Sequence, residues 1–575
     1  MIGLVAVTAA GRQAAGELGM AWPGETKLYA GPAAQALPAA FAECTHVVAF
    51  LATGVAVRLL ASHLGDKHTD PAVVCVDEGR RFAVALLGGH GGGANDLAQR
   101  VASTLDAQPV VTTASDAVGI AGIDQLGWPI QGDVAGVARA LLDGEPVALQ
   151  QDARWPLPAL PPNVQPVDEV PARDLRPAVG ARHRLRVTDR VVAEEAGLAV
   201  LRPPSLVLGV GASRGVPASE VLALIDDVLA GADVSAHSVR HLATIDVKAD
   251  EPGLLQAAGV RGWPLVTHPA EVLATVAVPN PSERVRAEVG TPSVAEAACL
   301  VGDATLLVPK TKSAGTPPMA TVALARHRPR GRLAVIGLGP GARDLLSPRA
   351  HRELRAASVV VGLDQYVDQI RDLLRPGTRV LATGLGSESE RARSAVDEAR
   401  AGQAVALIGS GDAGIYAMAS PALEVADTSI DVVGVAGITA AVAAAALLGA
   451  PLGHDHAYLS LSDLHTPWEA IERRVRAAAA GDFVVCFYNP RSHTRDWQLS
   501  AALDLLAASR PGTTPVGLVR SASRPDESAT VTTLDRIRQS RGAEVDMATV
   551  VLVGSSQTRL IAGRMVTPRG YRWMP

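Results

Sequence analysis

The sequence predicts an α/β fold divided among several domains, and three observations carry that expectation. Short Val/Ile/Leu/Ala runs alternate with amphipathic stretches of helical period along the chain, the pattern of largely parallel sheets flanked by helices. A chain of 575 residues exceeds what one hydrophobic core serves, so length alone implies three or four domains. Breaks in composition then mark the joints: a Pro-rich stretch at 155–177, prolines at 201–205 ahead of a fresh strand, and the basic run Arg326-His327-Arg328-Pro329-Arg330-Gly331-Arg332. These place an N-terminal α/β domain at 1–130, a middle domain or connector at 131–204, a third α/β domain at 205–326, a hinge at 327–331 and a larger α/β module at 332–575.

Composition narrows the function classes. Hydrophobic residues make up 48% and charged residues 19%, ordinary for a globular chain. The net charge is −5, aromatics are 3%, and no stretch interleaves aromatic with basic residues, which argues against a nucleic-acid partner. An anionic small molecule stays open, because a few placed arginines suffice for it. The opening MIGLVAVTAAGR has no Lys or Arg before its apolar run, so it reads as a buried strand ending at Gly11 rather than a signal peptide. Residues 438–452 are Ala-rich and broken by Gly449 and Pro451, too short to span a bilayer. Cys44, Cys75, Cys299 and Cys486 are far apart and sit in or beside apolar runs, so they read as buried free thiols. The expectation is a cytoplasmic protein with no membrane partner.

The module from 332 onward carries three glycine loops at strand ends. Residues 333–361 read as strand, loop, helix, strand, with the loop Gly337-Leu338-Gly339-Pro340-Gly341-Ala342. Alone, that loop also fits the dinucleotide pattern GxGxxG/A. A dinucleotide site starts its helix at the glycines to face a pyrophosphate. Here Ser347-Pro348 reads as an N-cap followed by Pro at the first helical position, which delays the helix. The second loop, Gly409-Ser410-Gly411-Asp412-Ala413-Gly414-Ile415-Tyr416, follows a strand at 404–408 and offers a carboxylate, or simply a helix cap, in Asp412. The third, Gly437-Ile438-Thr439-Ala440, opens an Ala-rich helix after a strand at 431–435.

Taken in order, these loops resemble the tetrapyrrole (corrin and porphyrin) methyltransferase family. Four further stretches sharpen the likeness to its precorrin-3B C17-methyltransferase branch. They are Ser460-Leu461-Ser462-Asp463 with Thr466-Pro467-Trp468, Phe487-Tyr488-Asn489-Pro490-Arg491-Ser492 with Arg495, Val553-Gly554-Ser555-Ser556, and Thr567-Pro568-Arg569-Gly570-Tyr571. The resemblance implies a two-lobed α/β module that methylates C17 of precorrin-3B or cobalt-precorrin-3 with S-adenosylmethionine, with ring contraction and δ-lactone formation. It implies a donor site at Pro340, Ser410, Gly411, Asp412, Ile415, Thr439, Ala440, Tyr488 and Asn489. Ser462, Asp463, Arg491, Arg495 and Arg569 are then expected on the carboxylate-rich substrate. Many relatives have Pro-Gly before Thr-Ala, where this chain has Ala436-Gly437. His454, His456 and His465 do not make a convincing metal site, and no protein-bound metal is expected.

The N-terminal half has a second dense constellation. Gly54-Val55-Ala56-Val57-Arg58 leads into a helix; Asp66-Lys67-His68-Thr69-Asp70-Pro71 precedes a strand. A strand at 82–87 then runs into Gly88-Gly89-His90-Gly91-Gly92-Gly93-Ala94-Asn95, where Asn95 and Asp96 are expected to cap the next helix. Thr112-Thr113-Ala114-Ser115-Asp116 closes the set. These stretches resemble the N-terminal domain of cobalt-precorrin-5A hydrolase. Gly209-Val210-Gly211-Ala212-Ser213-Arg214-Gly215, Asp246-Val247-Lys248 with Glu251-Pro252-Gly253, Ser293-Val294-Ala295-Glu296 and Val308-Pro309-Lys310 resemble its C-terminal domain. The implied reaction opens a δ-lactone and expels acetaldehyde, which needs a base to activate water and a cation or acid for the oxyanion. His90 or Asp70 is the expected base, Lys67 or Arg58 the cationic partner, and Asp116 a further polar candidate. Lys248, Glu251 and Lys310 are candidates for substrate carboxylates or for plain salt bridges. The reading is a bifunctional corrin-pathway enzyme acting on small-molecule precursors, dimeric through its methyltransferase module. Its competitors are a non-catalytic N-terminal module that binds or delivers an intermediate, and a nicotinamide-dependent reductase using the Gly337 loop.

Overall fold

The computed structural model describes residues 1–66, 69–89, 92–112, 123, 126–167, 182–384, 386–492 and 495–570. Two compact units divide them: Met1–Trp155, Leu160–Pro329 and Arg375–Gly377 form one, and Pro156–Ala159, Arg330–Leu374 and Thr378–Pro575 the other.

The first unit contains three sheets. A six-stranded sheet runs in the order Thr26–Tyr29, Ile2–Ala6, His46–Phe50, Ala72–Val76, Phe82–Leu87, Gln108–Val110, parallel except where Phe82–Leu87 lies antiparallel to Ala72–Val76. Its first strand shows the period-2 logic of a strand covered on both faces. Ile2, Leu4 and Ala6 pack with Leu18, Leu97 and Val101, whereas Val5 packs with Leu37, Phe41 and Leu60. That strand stops at Ala6 and not at Gly11 as expected from sequence: the Thr8 hydroxyl accepts the Gly11 N–H at 3.0 Å and starts a helix, Ala9–Ala21. The Asn95 and Asp96 caps also need correction. Gly93, at φ 84°, is the N-cap of the Ala94–Leu105 helix, so both residues lie inside its first turn.

A five-stranded middle sheet runs Ile130–Gly132, Leu198–Leu201, His183–Val187, Val147–Gln151, Val164–Pro166. A third runs Leu265–His268, Val239–Ile245, Leu206–Ala212, Ala320–His327, Ala304–Lys312; the first three strands are parallel, and Ala320–His327 lies antiparallel to both of its neighbours. Gly209 is required there, since a Cβ would fall 1.8 Å from the Ala295 carbonyl oxygen.

In the second unit, a fully parallel sheet runs Arg379–Thr383, Val359–Leu363, Ala404–Gly409, Arg332–Gly337, Asp431–Val435. Leu333 and Val335 face Ala392 and Val396, while Ala334 and Ile336 face Ala350 and Leu354, so helices cover both faces. From Arg332–Gly337 the chain crosses toward Val359–Leu363, and from the adjacent Ala404–Gly409 it crosses the other way to Asp431–Val435. The connections diverge at the carboxyl ends of these two neighbours, which is where open α/β sheets leave a crevice. A mixed sheet forms the second lobe in the order His456–Ser460, Val484–Tyr488, Thr549–Val553, Pro515–Arg520, Ser528–Thr533.

Candidate active sites

The crevice of the second unit is built from the three glycine loops. Gly339 and Gly411 exchange backbone hydrogen bonds, N–H to O at 3.0 and 2.8 Å, locking the first loop to the second. Such approach leaves no space for side chains: a Cβ on Gly437 would lie 2.1 Å from the Gly411 oxygen. Asp412 is not a helix cap. Its Oδ1 accepts the Gly414 N–H at 2.8 Å and its Oδ2 the Gly437 N–H at 3.0 Å, so one carboxylate ties the second loop to the third. Ser347 caps the following Pro348–Ala356 helix through the Ala350 N–H at 3.1 Å, so that helix starts seven residues beyond Gly341. The first loop therefore does not deliver a helix N-terminus to a pyrophosphate.

The second lobe completes the rim. The Tyr488 hydroxyl lies 2.5 Å from Thr439 Oγ1 and accepts the Ala441 N–H at 2.9 Å, so it caps the Ala440–Leu448 helix that the third loop opens. Burial raises the Tyr488 hydroxyl pKa above the ordinary tyrosine value, against the opposing effect of these hydrogen bonds, which keeps the phenol neutral. Asn489, left-handed at φ 49°, donates its amide to Ser460 Oγ at 3.1 Å. Tyr416 and Tyr458 flank the Tyr488 ring at centroid distances of 5.4 and 5.8 Å. Tyr488→Phe removes the cap; the expected result is a roughly tenfold loss of kcat/KM for the methyl transfer that the sequence resemblance implies, with little change in thermal stability, measured by steady-state kinetics beside a melting curve.

The expected substrate residues fall into different settings. Arg495 donates to Ser462 Oγ at 3.4 Å and Met547 Sδ at 3.3 Å, while Gln498 holds Asp463 at 2.8 Å. Burial lowers the Arg495 pKa below the usual guanidinium value, opposed by the nearby Asp463. Arg491 donates to the Gly542 carbonyl at 3.0 Å, and Arg569 is exposed. Pro340 is buried and Ser410 and Ile415 half-buried. Sequence reasoning missed Arg524, whose Nε donates to the Pro340 carbonyl at 3.0 Å and whose Nη2 donates to Ser410 Oγ at 3.2 Å. It also missed Tyr416 and Tyr458 as a pair around Tyr488.

In the first unit His90, Lys67 and Asp116 lie outside the described residues. Asp70 accepts the Gly65 N–H with both oxygens, at 3.2 and 3.0 Å, and Arg58 donates to the Gly54 carbonyl at 2.9 Å. Lys248 pairs with Glu251 at 3.2 Å. Glu251, 1% exposed, also accepts the Gly215 N–H at 2.8 Å and so fixes the Gly209–Gly215 loop. Burial alone would raise its carboxyl, but the Gly215 N–H and Lys248 outweigh that and hold it below the ordinary carboxylate range. Lys310 donates its Nζ to the Asn280 carbonyl, and its N–H meets Glu296 Oε1 at 3.0 Å. The fully buried Glu296 also takes the Asn280 side-chain amide at 2.7 Å. A cavity of about 370 Å³, not foreseen from sequence, is lined by Asp152, Trp155, Thr188, Asp189, Arg190 and Arg326 among others.

Glu251→Ala leaves the Lys248 ammonium and the Gly215 N–H without their acceptor, an expected loss of about 3 kcal/mol in urea unfolding. With its folded-state pKa depressed, Glu251 adds stability above about pH 4.3. That contribution disappears as pH falls through the lower folded-state value, so Glu251→Gln has a flatter acid limb.

The four cysteines are buried free thiols, with Cys75, Cys299 and Cys486 pushed up to about 12 by burial. Among the described residues no cluster of three or more His, Cys, Asp or Glu side chains is arranged to hold a metal ion, and no helix is long and apolar enough to cross a membrane.

The chain belongs to the Tetrapyrrole (Corrin/Porphyrin) Methylases, a methyltransferase family matched over residues 332–538, the unit that carries the three interlocked glycine loops. The Cobalamin synthesis G N-terminal and C-terminus families match residues 35–116 and 206–325. The probable cobalt-factor III C(17)-methyltransferase of Salmonella typhimurium is 47% identical over 242 residues, 42% of this chain and 99% of that protein. The precorrin-3B C(17)-methyltransferase of a Sinorhizobium species is 39% identical over 252 residues, 42% of this chain and 97% of that protein. Other relatives are longer: the cobalt-factor III methyltransferase of Priestia megaterium is matched over 46% of its own length. Among solved structures, the methyltransferase CobJ is 37% identical, covering 41% of this chain and 100% of its own, with a TM-score of 0.40.

Proposed function

We propose that the chain is a bifunctional enzyme of corrin synthesis. Its second unit methylates C17 of precorrin-3B or the corresponding cobalt-containing intermediate, with ring contraction. Its first unit opens the δ-lactone of cobalt-precorrin-5A with loss of acetaldehyde. The observation that carries the first activity is the likeness to a cobalt-factor III C(17)-methyltransferase at 47% identity across 99% of that relative, joined to the braced loop triad. The family relies on S-adenosylmethionine, which supplies an already activated methyl group. The crevice fits that donor better than a dinucleotide, since the first loop offers peptide edges and no helix N-terminus.

In this reading Pro340, Ser410, Gly411, Asp412, Ile415, Thr439, Ala440, Tyr488 and Asn489 surround the donor. Asp412 keeps the second and third loops in register, and Tyr488 fixes the entry to the third. Alignment of the reacting atoms by such a frame is worth roughly 7–11 kcal/mol of barrier. Ser462, Asp463, Arg491, Arg495 and Arg569 receive the macrocycle and its carboxylates. The reaction needs no metal held by the protein; cobalt, where present, is part of the substrate.

For the hydrolase, His90 or Asp70 takes the proton of the attacking water, and Lys67 or Arg58 stabilises the oxyanion on the lactone carbonyl; Asp116 is a further polar candidate. Lys248 and Lys310 meet substrate carboxylates. The hydrogen bonds that already occupy Asp70 and Arg58 favour a second reading, a module that binds and delivers an intermediate without reacting. Incubating the chain with cobalt-precorrin-5A separates the two. Acetaldehyde release, detected with alcohol dehydrogenase and NADH, supports hydrolysis; saturable binding with no aldehyde supports delivery and sinks the hydrolase. A cytoplasmic setting accords with four free thiols. Exposed Leu423, Val442 and Leu447 on the second unit offer apolar surface for the proposed homodimer, which light scattering would register as twice the chain mass.

A further inference from the structure

The first donor loop is held from the other lobe of its own unit by two consecutive residues that no sequence motif singled out. Ser523 Oγ accepts the Ala342 N–H at 3.1 Å. Arg524 lays its stem against Gly341, where a Cβ would lie 2.7 Å from Arg524 Cγ, and donates to Pro340 O and Ser410 Oγ. One guanidinium thus contacts two of the three loops. Among the described residues its charge is unmatched: the neighbouring Asp526 is engaged by Arg520 at 2.6 Å and Ser521 at 3.0 Å, and Glu527 by the Ser523 N–H at 2.6 Å. Asp412 is occupied by two backbone N–H groups. Among the described residues no carboxylate pairs with Arg524, and none accepts a hydrogen bond from its Nη1.

The turn that presents it is strained and pinned. Ser521 and Ser523 sit at φ 50° and 61°, left-handed values that cost non-glycine residues of the order of 1–3 kcal/mol and concentrate at functional sites. A half-buried guanidinium, fixed on one side by neutral acceptors and left without a counter-ion, is a receptor for an anion.

We propose that Arg524 is a specificity-determining residue that takes a carboxylate of the tetrapyrrole at the mouth of the donor loops. Pro340 O and Ser410 Oγ orient the fork, and its remaining N–H groups meet the substrate. This inference rests on the methyltransferase reading above. It separates Arg524 from Arg491, which is engaged by the Gly542 carbonyl, and makes recognition of the acidic substrate depend on a residue that also touches the donor loops.

The test uses the full chain with Arg524→Gln and Arg524→Lys. Binding of uroporphyrin III, a stable polycarboxylate tetrapyrrole, is followed by fluorescence over a range of salt, and S-adenosylhomocysteine binding by calorimetry. A lost charge-assisted contact should weaken tetrapyrrole binding by roughly 10- to 100-fold in the Gln variant, with a shallower salt dependence. The Lys variant should recover the salt dependence but only part of the affinity, while S-adenosylhomocysteine binding, which depends on Arg524 only through its two neutral loop contacts, weakens clearly less than tetrapyrrole binding in both. Parallel weakening of both ligands would make Arg524 a loop brace and overturn the proposal, as would wild-type salt dependence in the Gln variant. Neither readout needs turnover, so absence of methylation by the wild-type chain would count against the methyltransferase reading separately.

Discussion

Asp412→Asn lowers kcat/KM for methyl transfer by roughly 10- to 100-fold and weakens S-adenosylhomocysteine binding in parallel, with the chain still folded. The carboxylate serves two backbone donors at once, Gly414 N–H and Gly437 N–H. An amide keeps one acceptor oxygen and turns an NH2 toward the other donor. One loop bond is lost, and a donor–donor contact replaces it. A charge-assisted bond of this type is worth about 1.5–3 kcal/mol. Because the bond holds two glycine loops of the proposed donor site in register, its loss should appear in binding and in the barrier rather than in global stability. Steady-state kinetics with calorimetry checks this; unchanged affinity and rate would show that the loops keep their arrangement without Asp412.

Gly437→Ala has the larger effect on stability. Its Cβ would sit 2.1 Å from the Gly411 oxygen and 2.7 Å from the Gly337 carbonyl carbon. Both neighbours are backbone in loops already joined to each other, so relief requires the loops to part. A cost of about 3 kcal/mol is expected. For a unit of this size that corresponds to a fall of roughly 6–12 °C in Tm. Gly434→Ala, three positions earlier with nothing within 4 Å of the new Cβ, supplies the control and should melt like wild type. Equal melting of the two variants would contradict the loop packing described.

The alternation of apolar runs and helical stretches was enough to identify α/β architecture, because parallel strands covered on both faces are near-continuous apolar runs. The strand expected at 82–87 is observed as Phe82–Leu87, and Ser347-Pro348 announces its helix through cap chemistry. Where a strand and helix abut without a break, the pattern misleads. The run after Met1 is apolar through Ala10 apart from Thr8, and only the Thr8 side-chain bond shows that the strand has ended. The glycine cap at 93 displaced the caps expected of Asn95 and Asp96 because a left-handed glycine ends the loop first. The glycine loops themselves stood out through their composition.

What brings those loops together was not legible. Arg524 lies 184 residues from Pro340 in a Ser/Pro/Asp turn with no periodicity, and only the paired lobes of the second unit bring it near. The Glu251 bond to Gly215, within the first unit, spans 36 residues and is equally unmarked by any motif. Motifs mark where backbone must be permissive or a side chain must react. They are silent about long-range acceptors.

The most direct measurement supplies the purified chain with S-adenosylmethionine carrying a 13C methyl group, together with precorrin-3B or its cobalt counterpart, and locates the label by NMR. The expected result is one new methyl signal on C17 of a ring-contracted product. A label on any other carbon, or no transfer to either macrocycle while both remain intact, would contradict the assignment.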